Sequence, residues 1–257
     1  MTQTVYLVIG ASRGIGLAIV KQLSENPDNY VIGSYRSASS APKLLELAKK
    51  PNVDTVVADI ASEDCKEQLE KGIAKLTDGI DVAIINAGIS KSTHSILTCP
   101  REQYIDHFLV NTIGPAEAFK AAYPFLLKRN TRKVAFTTSL AGSLTAYMPL
   151  PVSAYGASKA ALNYVVRKLS QELADENFSF AGLHPGLVAT DMVQELVDLV
   201  VSGESNDLAA ASFPEFVKQQ AVSPESSASG IITAVAMLSP HTTGRLIRVD
   251  DQSDFPF

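Results

Sequence analysis

Seven short runs of β-branched and aromatic residues, separated by longer amphipathic stretches, constrain this chain more than any other feature. The runs are 5–9, 30–35, 53–58, 81–85, 133–138, 178–184 and 246–249. They do not alternate polar with apolar residues, so each predicts a strand buried on both faces. Between them the pattern predicts helices over 14–25, 41–50, 62–76, 101–128, 153–175 and 224–237. Ser62, followed by Glu63 and Asp64, is the expected N-cap of the third helix, with acids where the helix dipole favours them. Strand and helix alternating in this way predict an α/β fold. The expected form is a doubly wound, seven-stranded parallel sheet with helices on both faces, a three-layer sandwich forming one domain over 1–257. The segment 191–222 is longer than an ordinary connection and is expected to be a lid or binding loop.

Composition narrows the partners. With 257 residues, 46% hydrophobic and 19% charged, the chain reads as an ordinary soluble protein that needs no cross-links to fold. A net charge of −5 argues against nucleic acid and against anionic membranes as partners. Cys65 and Cys99 are too few for a disulfide framework and fit a reducing compartment. The first apolar run is too short for a signal segment, and no stretch approaches the ~18 apolar residues of a membrane span. A cytoplasmic location is therefore expected. His94, His107, His184 and His241 are scattered, so no metal is expected.

The first strand leads into Gly10-Ala11-Ser12-Arg13-Gly14-Ile15-Gly16 at the start of a helix. Glycines there allow a tight turn and a close backbone approach to a pyrophosphate at the helix N-terminus. The same residues also spell G-x-S-x-G, the nucleophile elbow of α/β-hydrolases, which would make Ser12 a nucleophile served by His184 or His241. That rival is set aside because hydrolases place several strands before the elbow, and this is the first strand. The end of the second strand reads Tyr35-Arg36-Ser37 and carries no acid to hold a ribose 2′-hydroxyl. Arg36, with Arg13, suits a 2′-phosphate instead, so NADP(H) is expected rather than NAD.

Ser153-Ala154-Tyr155-Gly156-Ala157-Ser158-Lys159 places Tyr155 and Lys159 four apart on a predicted helix, hence on one face. A free phenol, with a pKa of about 10, is a poor proton shuttle at neutral pH. A neighbouring ammonium is expected to lower it and make tyrosine a usable acid and base.

With these pieces in order, the chain resembles the short-chain dehydrogenase/reductase family, in its single-domain Rossmann form, over nearly its whole length. The resemblance rests on the glycine turn, Asp59-Ile60, Asn86-Ala87-Gly88, and Asn111 in Val110-Asn111-Thr112-Ile113-Gly114. It rests further on Ser139, on Tyr155 with Lys159, and on Pro185-Gly186 followed by Val188 and Thr190. Within the family it is most similar to the reductases related to sniffer, C-factor and the norsolorinic acid ketoreductases.

The resemblance implies NADPH-dependent reduction of a ketone or aldehyde. Tyr155 would protonate the carbonyl oxygen, Ser139 would stabilise it, and Lys159 would bind the nicotinamide ribose while lowering the tyrosine pKa. Asn111 would hold a relay water. Asn86, Ala87 and Gly88 would line the adenosine ribose, Asp59 would meet the adenine, and Val188 and Thr190 would meet the carboxamide. Homodimers or homotetramers are also implied. Three departures stand out: Ile9 before the first glycine, a longer Ser139-to-Tyr155 spacing, and a C-terminus without a glycine pair. Leu140, Tyr147, Met148, Leu196 and Phe213 are the expected substrate wall, whose apolar character favours a hydrophobic carbonyl compound. A catalytically silent NADPH sensor is the second rival.

Overall fold

The computed structural model describes residues 3–91, 93–146, 150–202 and 212–257. Its strands are β1 (Thr4–Ile9), β2 (Asn29–Tyr35), β3 (Val53–Val57), β4 (Val82–Ile85), β5 (Lys133–Thr137), β6 (Ser179–His184) and β7 (Arg245–Arg248). All seven form one parallel sheet in the order β3-β2-β1-β4-β5-β6-β7. The apolar runs behave as their composition requires. Every residue of β4, at the sheet's centre, is buried, whereas the edge strand β3 shows Asp54, Thr55 and Val57 to its surroundings.

Helices cover both faces. On one face α3 (Cys65–Ile73), α5 (Gly114–Leu126) and α6 (Ser153–Glu172) bury Leu69, Phe119 and Leu162 against the sheet. On the other, α1 (Gly14–Leu23), α2 (Pro42–Leu47) and α9 (Pro224–Met237) bury Ile19, Leu44 and Ile231. The strand order reverses between β1 and β4. The carboxyl ends of these neighbours therefore open a crevice, the usual ligand position in sheets of this kind. Among the described residues no helix is long and apolar enough to cross a membrane.

Two local expectations need correction. The helix predicted over 101–128 is interrupted. It runs as α4 (Arg101–Phe108), a π-helical turn at Leu109–Ile113, and then α5. Pro115 has no N–H to give the Asn111 carbonyl, so the ladder widens by one residue just before it. Ser62 is not an N-cap. Asp59 bends the preceding loop by accepting from the Ala61 N–H at 3.0 Å, and the helix begins only at Cys65. The Ser62 hydroxyl instead donates to the Asp64 carboxylate.

Candidate active site

The glycine turn lies at the crevice. Gly10 (φ +80°) and Gly14 (φ +55°) adopt backbone conformations that other residues rarely take. A Cβ on Gly10 would fall 2.7 Å from the Ala87 Cα, and one on Gly16 would fall 2.1 Å from the Gly10 carbonyl oxygen. No side-chain cap occupies the start of α1, so its first backbone N–H groups are free to meet an anion. Ser34 holds the turn from β2 by accepting from the Gly10 N–H at 2.9 Å. Asn86 holds it from β4 by donating to the Gly10 carbonyl at 3.2 Å.

A cleft of about 620 Å³ runs from this turn to Tyr155 and Lys159. Gly10, Ser12, Arg13, Gly14, Ile15, Tyr35, Arg36, Asp59, Ile60, Asn86, Ala87, Gly88, Pro185 and Thr190 all line it. Gly16, Ser37, Gly186 and Val188 do not. Gly16 packs on the turn itself, the Ser37 hydroxyl is engaged with Ser39 and Ser40, and Val188 is buried. Arg36 makes no ion pair among the described residues. Arg13, in contrast, pairs with Asp191 at 2.9 Å and Glu195 at 3.5 Å on α7 (Asp191–Val201). The two arginines therefore line one cleft without forming a joint fork.

At the far end Lys159 is buried, and its ammonium donates to the Thr137 carbonyl at 2.8 Å. The Lys159 Nζ lies 5.8 Å from the centre of the Tyr155 ring. The Ser139 side chain favours the ionised form of the Tyr155 phenol. Asn111, at the π-helical turn, accepts from the Ile89 N–H at 2.8 Å and donates to the Ile89 carbonyl at 2.9 Å and the Ser158 hydroxyl at 3.0 Å. A Cβ on Gly88 would stand 3.1 Å from Asn111 Oδ1 and 3.4 Å from Lys159 Nζ, so these two polar atoms flank one backbone position. Neither Ser139 nor Asn111 lines the main cleft.

The electrostatics differ from the sequence expectation. Burial pushes the Tyr155 phenol above its ordinary 10, partly offset by the Ser139 hydroxyl. Burial also pulls Lys159 from 10.5 down to about 7. The lysine thus loses its charge well before the phenol ionises, and so does not lower the tyrosine pKa in the chain alone.

None of the expected substrate-wall residues that the structure describes lines this cleft. Leu196 and Phe213 are 8% and 5% exposed and do not line it. Leu140 also lies outside it, and Tyr147 and Met148 fall outside the described residues. Met192, Lys91, Asp106, Leu109 and Val110 do line the cleft. His107, which the sequence reading treated as ordinary, is fully buried with its ring edge-on to Tyr155 at 6.5 Å between centroids. Its Nδ1–H donates to the Gln103 carbonyl at 2.6 Å, and its Nε2 accepts from the Lys91 N–H at 3.2 Å. Burial lowers its pKa and keeps it neutral. Its spacing of four from Asn111 was the signal available in the sequence.

A family model described as short chain dehydrogenase matches residues 4–199. The chain belongs to the short-chain dehydrogenase family. It is an oxidoreductase of that family, whose members use nicotinamide cofactors. An uncharacterized oxidoreductase of Schizosaccharomyces pombe is 38% identical over 250 residues, covering 97% of this chain and 96% of the relative. A solved carbonyl reductase from Pseudomonas aeruginosa PAO1 in complex with NADP is 29% identical with a TM-score of 0.77, covering 100% of both chains. The carbonyl reductase Sniffer of Drosophila melanogaster, 24% identical with a TM-score of 0.83 and 100% of both chains covered, shares the fold.

Proposed function

We propose that this short-chain dehydrogenase is an NADPH-dependent reductase of hydrophobic ketones or aldehydes. The observation that carries the reading is the placement of the Tyr155 phenol, with Lys159 beside it, at one end of a cleft whose other end is the glycine cradle. The cradle fits a dinucleotide: side chains are excluded at Gly10 and Gly16, and the first turn of α1 is uncapped. NADPH, when bound, supplies the hydride. Arg36, unpaired at the adenine end, would hold the 2′-phosphate, and Arg13 would join it on leaving Asp191. The NADP-bound Pseudomonas reductase supports this choice by likeness.

The chain's own residues do the proton work. Tyr155 is protonated at neutral pH and so donates to the carbonyl oxygen, while Ser139 donates a hydrogen bond to the same atom. Lys159 binds the ribose hydroxyls, and a nearby coenzyme phosphate would restore its charge. Asn111, through water, would carry the relay onward from Lys159. His107 cannot join the relay, because both its ring nitrogens are engaged with backbone groups. The serine hydrolase reading gains no support: Ser12 makes no hydrogen bond to a histidine among the described residues. We also read the chain as one cytoplasmic domain with 191–222 as its substrate lid.

NADPH consumption against a panel of aryl ketones, diketones and aldehydes tests the reading. Tyr155→Phe should cut turnover by about 10²- to 10⁴-fold while NADPH still binds. Unchanged turnover in the variant would remove the assignment.

A further inference from the structure

The segment beyond β7 does not line the cleft, yet it reaches the region expected to form the carbonyl wall. After Arg248 the chain turns back along β7: Ile247 bridges Asp254, and the Phe255 N–H donates to the Leu246 carbonyl at 2.9 Å. An ion pair between Arg245 and Asp254, at 2.7 Å, holds the return. This buries the Phe255 ring, which meets the His184 ring edge-on at 5.9 Å between centroids. His184 Nδ1 accepts from the N–H of Leu140 at 3.4 Å, one residue beyond Ser139. Two residues past Phe255, the Phe257 carbonyl oxygen accepts from the Leu144 N–H at 3.0 Å, the Ser143 hydroxyl at 3.2 Å and the Thr145 hydroxyl at 3.4 Å.

The segment 140–146 therefore lies between α6 and the returning tail, with His184 of β6 against Leu140. Its inner side rests on α6, where the Gly142 carbonyl accepts from Asn163 at 3.2 Å and a Cβ on Gly142 would fall 2.6 Å from the Lys159 backbone. Its outer side rests on the returning tail. A single short 3-10 turn, Leu140–Gly142, is its only regular structure, and Leu144 is 85% exposed. Burial holds the His184 imidazole at a pKa of about 4, so the ring is neutral at neutral pH and its Nδ1 can accept from Leu140.

We propose that residues 254–257 act as a strut for the wall 140–146, making Phe255 and His184 positioning residues that set which carbonyl compounds the site accepts. The specificity part rests on the carbonyl-reductase reading; the strut itself does not. A displaced wall changes the fit of a bulky substrate more than that of a small one, and errors near 1 Å at such a site cost one to two orders of magnitude.

The test compares wild type, Phe255→Ala, Phe255→Leu and the surface double variant Ser143→Ala with Thr145→Val. Each is assayed for kcat/KM on a bulky aryl ketone and a small aliphatic diketone, for NADPH affinity by fluorescence, and for amide hydrogen exchange. Phe255→Ala should shift the bulky-to-small ratio about tenfold, leave NADPH affinity within about twofold, and speed exchange at Leu144 and Ala146 but not in β5 or β6. Phe255→Leu, which keeps a buried apolar group, should restore most of the ratio, and the double variant should move it about two- to threefold in the same direction. An unchanged ratio in folded Phe255→Ala would overturn the proposal. So would equal losses on both substrates with a parallel loss of NADPH affinity. If wild type reduces no carbonyl compound, the functional reading falls, and exchange decides the strut alone: unaltered rates at Leu144 and Ala146 reject it.

Discussion

The two ends of the cleft are built from different materials. At the glycine turn the decisive atoms are backbone: Gly10 against Ala87, and Gly16 against the Gly10 carbonyl, at separations that admit no Cβ. Beyond the other end, past Ser139, they are side chains and long hydrogen bonds on a segment with one short turn and an exposed Leu144. The first construction leaves no room to vary, as expected of a site that must always take the same ligand. The second can shift without unmaking the fold, which suits the proposed role as a substrate wall.

That contrast can be broken most directly at Gly16. Gly16→Ala should abolish measurable NADPH binding, a loss of about 100-fold or more, because the Gly10 carbonyl must move out of the turn. Titration of coenzyme fluorescence checks this, and near-normal affinity would show the cradle to be softer than its geometry.

Lys159 sits where the two constructions meet, and its burial has a pH signature. Its folded pKa is about 7 against an ordinary 10.5. Between those values the unfolded chain holds a proton that the folded chain lacks, so stability from this group rises as pH climbs from about 7 towards 10.5. Tyr155 acts oppositely above pH 10, where the unfolded phenol ionises first. Lys159→Met should remove the rise and be the more stable protein near pH 7, while reducing turnover by about 100-fold. Urea denaturation at pH 7 and pH 9.5 reads the stability, and an undiminished rise in the variant would contradict the assignment.

Smaller effects sharpen the comparison. Arg36→Ala should weaken NADPH by about tenfold and leave NADH nearly unchanged, since only the former carries a 2′-phosphate. Equal changes in the two Michaelis constants would remove that role. Leu144→Ala, at a side chain 85% exposed, should alter stability by no more than about 0.5 kcal/mol. A large loss on thermal unfolding would mean that the wall is part of the core.

The sheet was legible in the sequence because strands buried on both faces must be mostly apolar, and the seven runs are. The glycine turn was legible for a related reason: backbone crowding leaves a residue type and a spacing behind. The break at 109–113 was not anticipated, since Pro115 acts through the partner its missing N–H would have had. Leu196 and Phe213 were expected on the substrate wall and are instead buried away from the cleft. An apolar side chain reads the same for either destination. The upward shift of the Tyr155 phenol was also hidden, because desolvation is a tertiary property, whereas an i, i+4 ammonium is visible at once. His107 reaches Tyr155 through the packing of α4 against α6.

The central claim is that hydride and proton meet one carbonyl group at Tyr155. Reduction with NADPH carrying deuterium at both nicotinamide C4 positions, followed by mass and NMR analysis of the alcohol, tests it most directly. The account predicts one deuterium on the former carbonyl carbon with wild type, and about 10²- to 10⁴-fold less labelled alcohol in the same time with Tyr155→Phe. Coenzyme consumed without label in the product, or labelled alcohol formed equally fast by the variant, would contradict it.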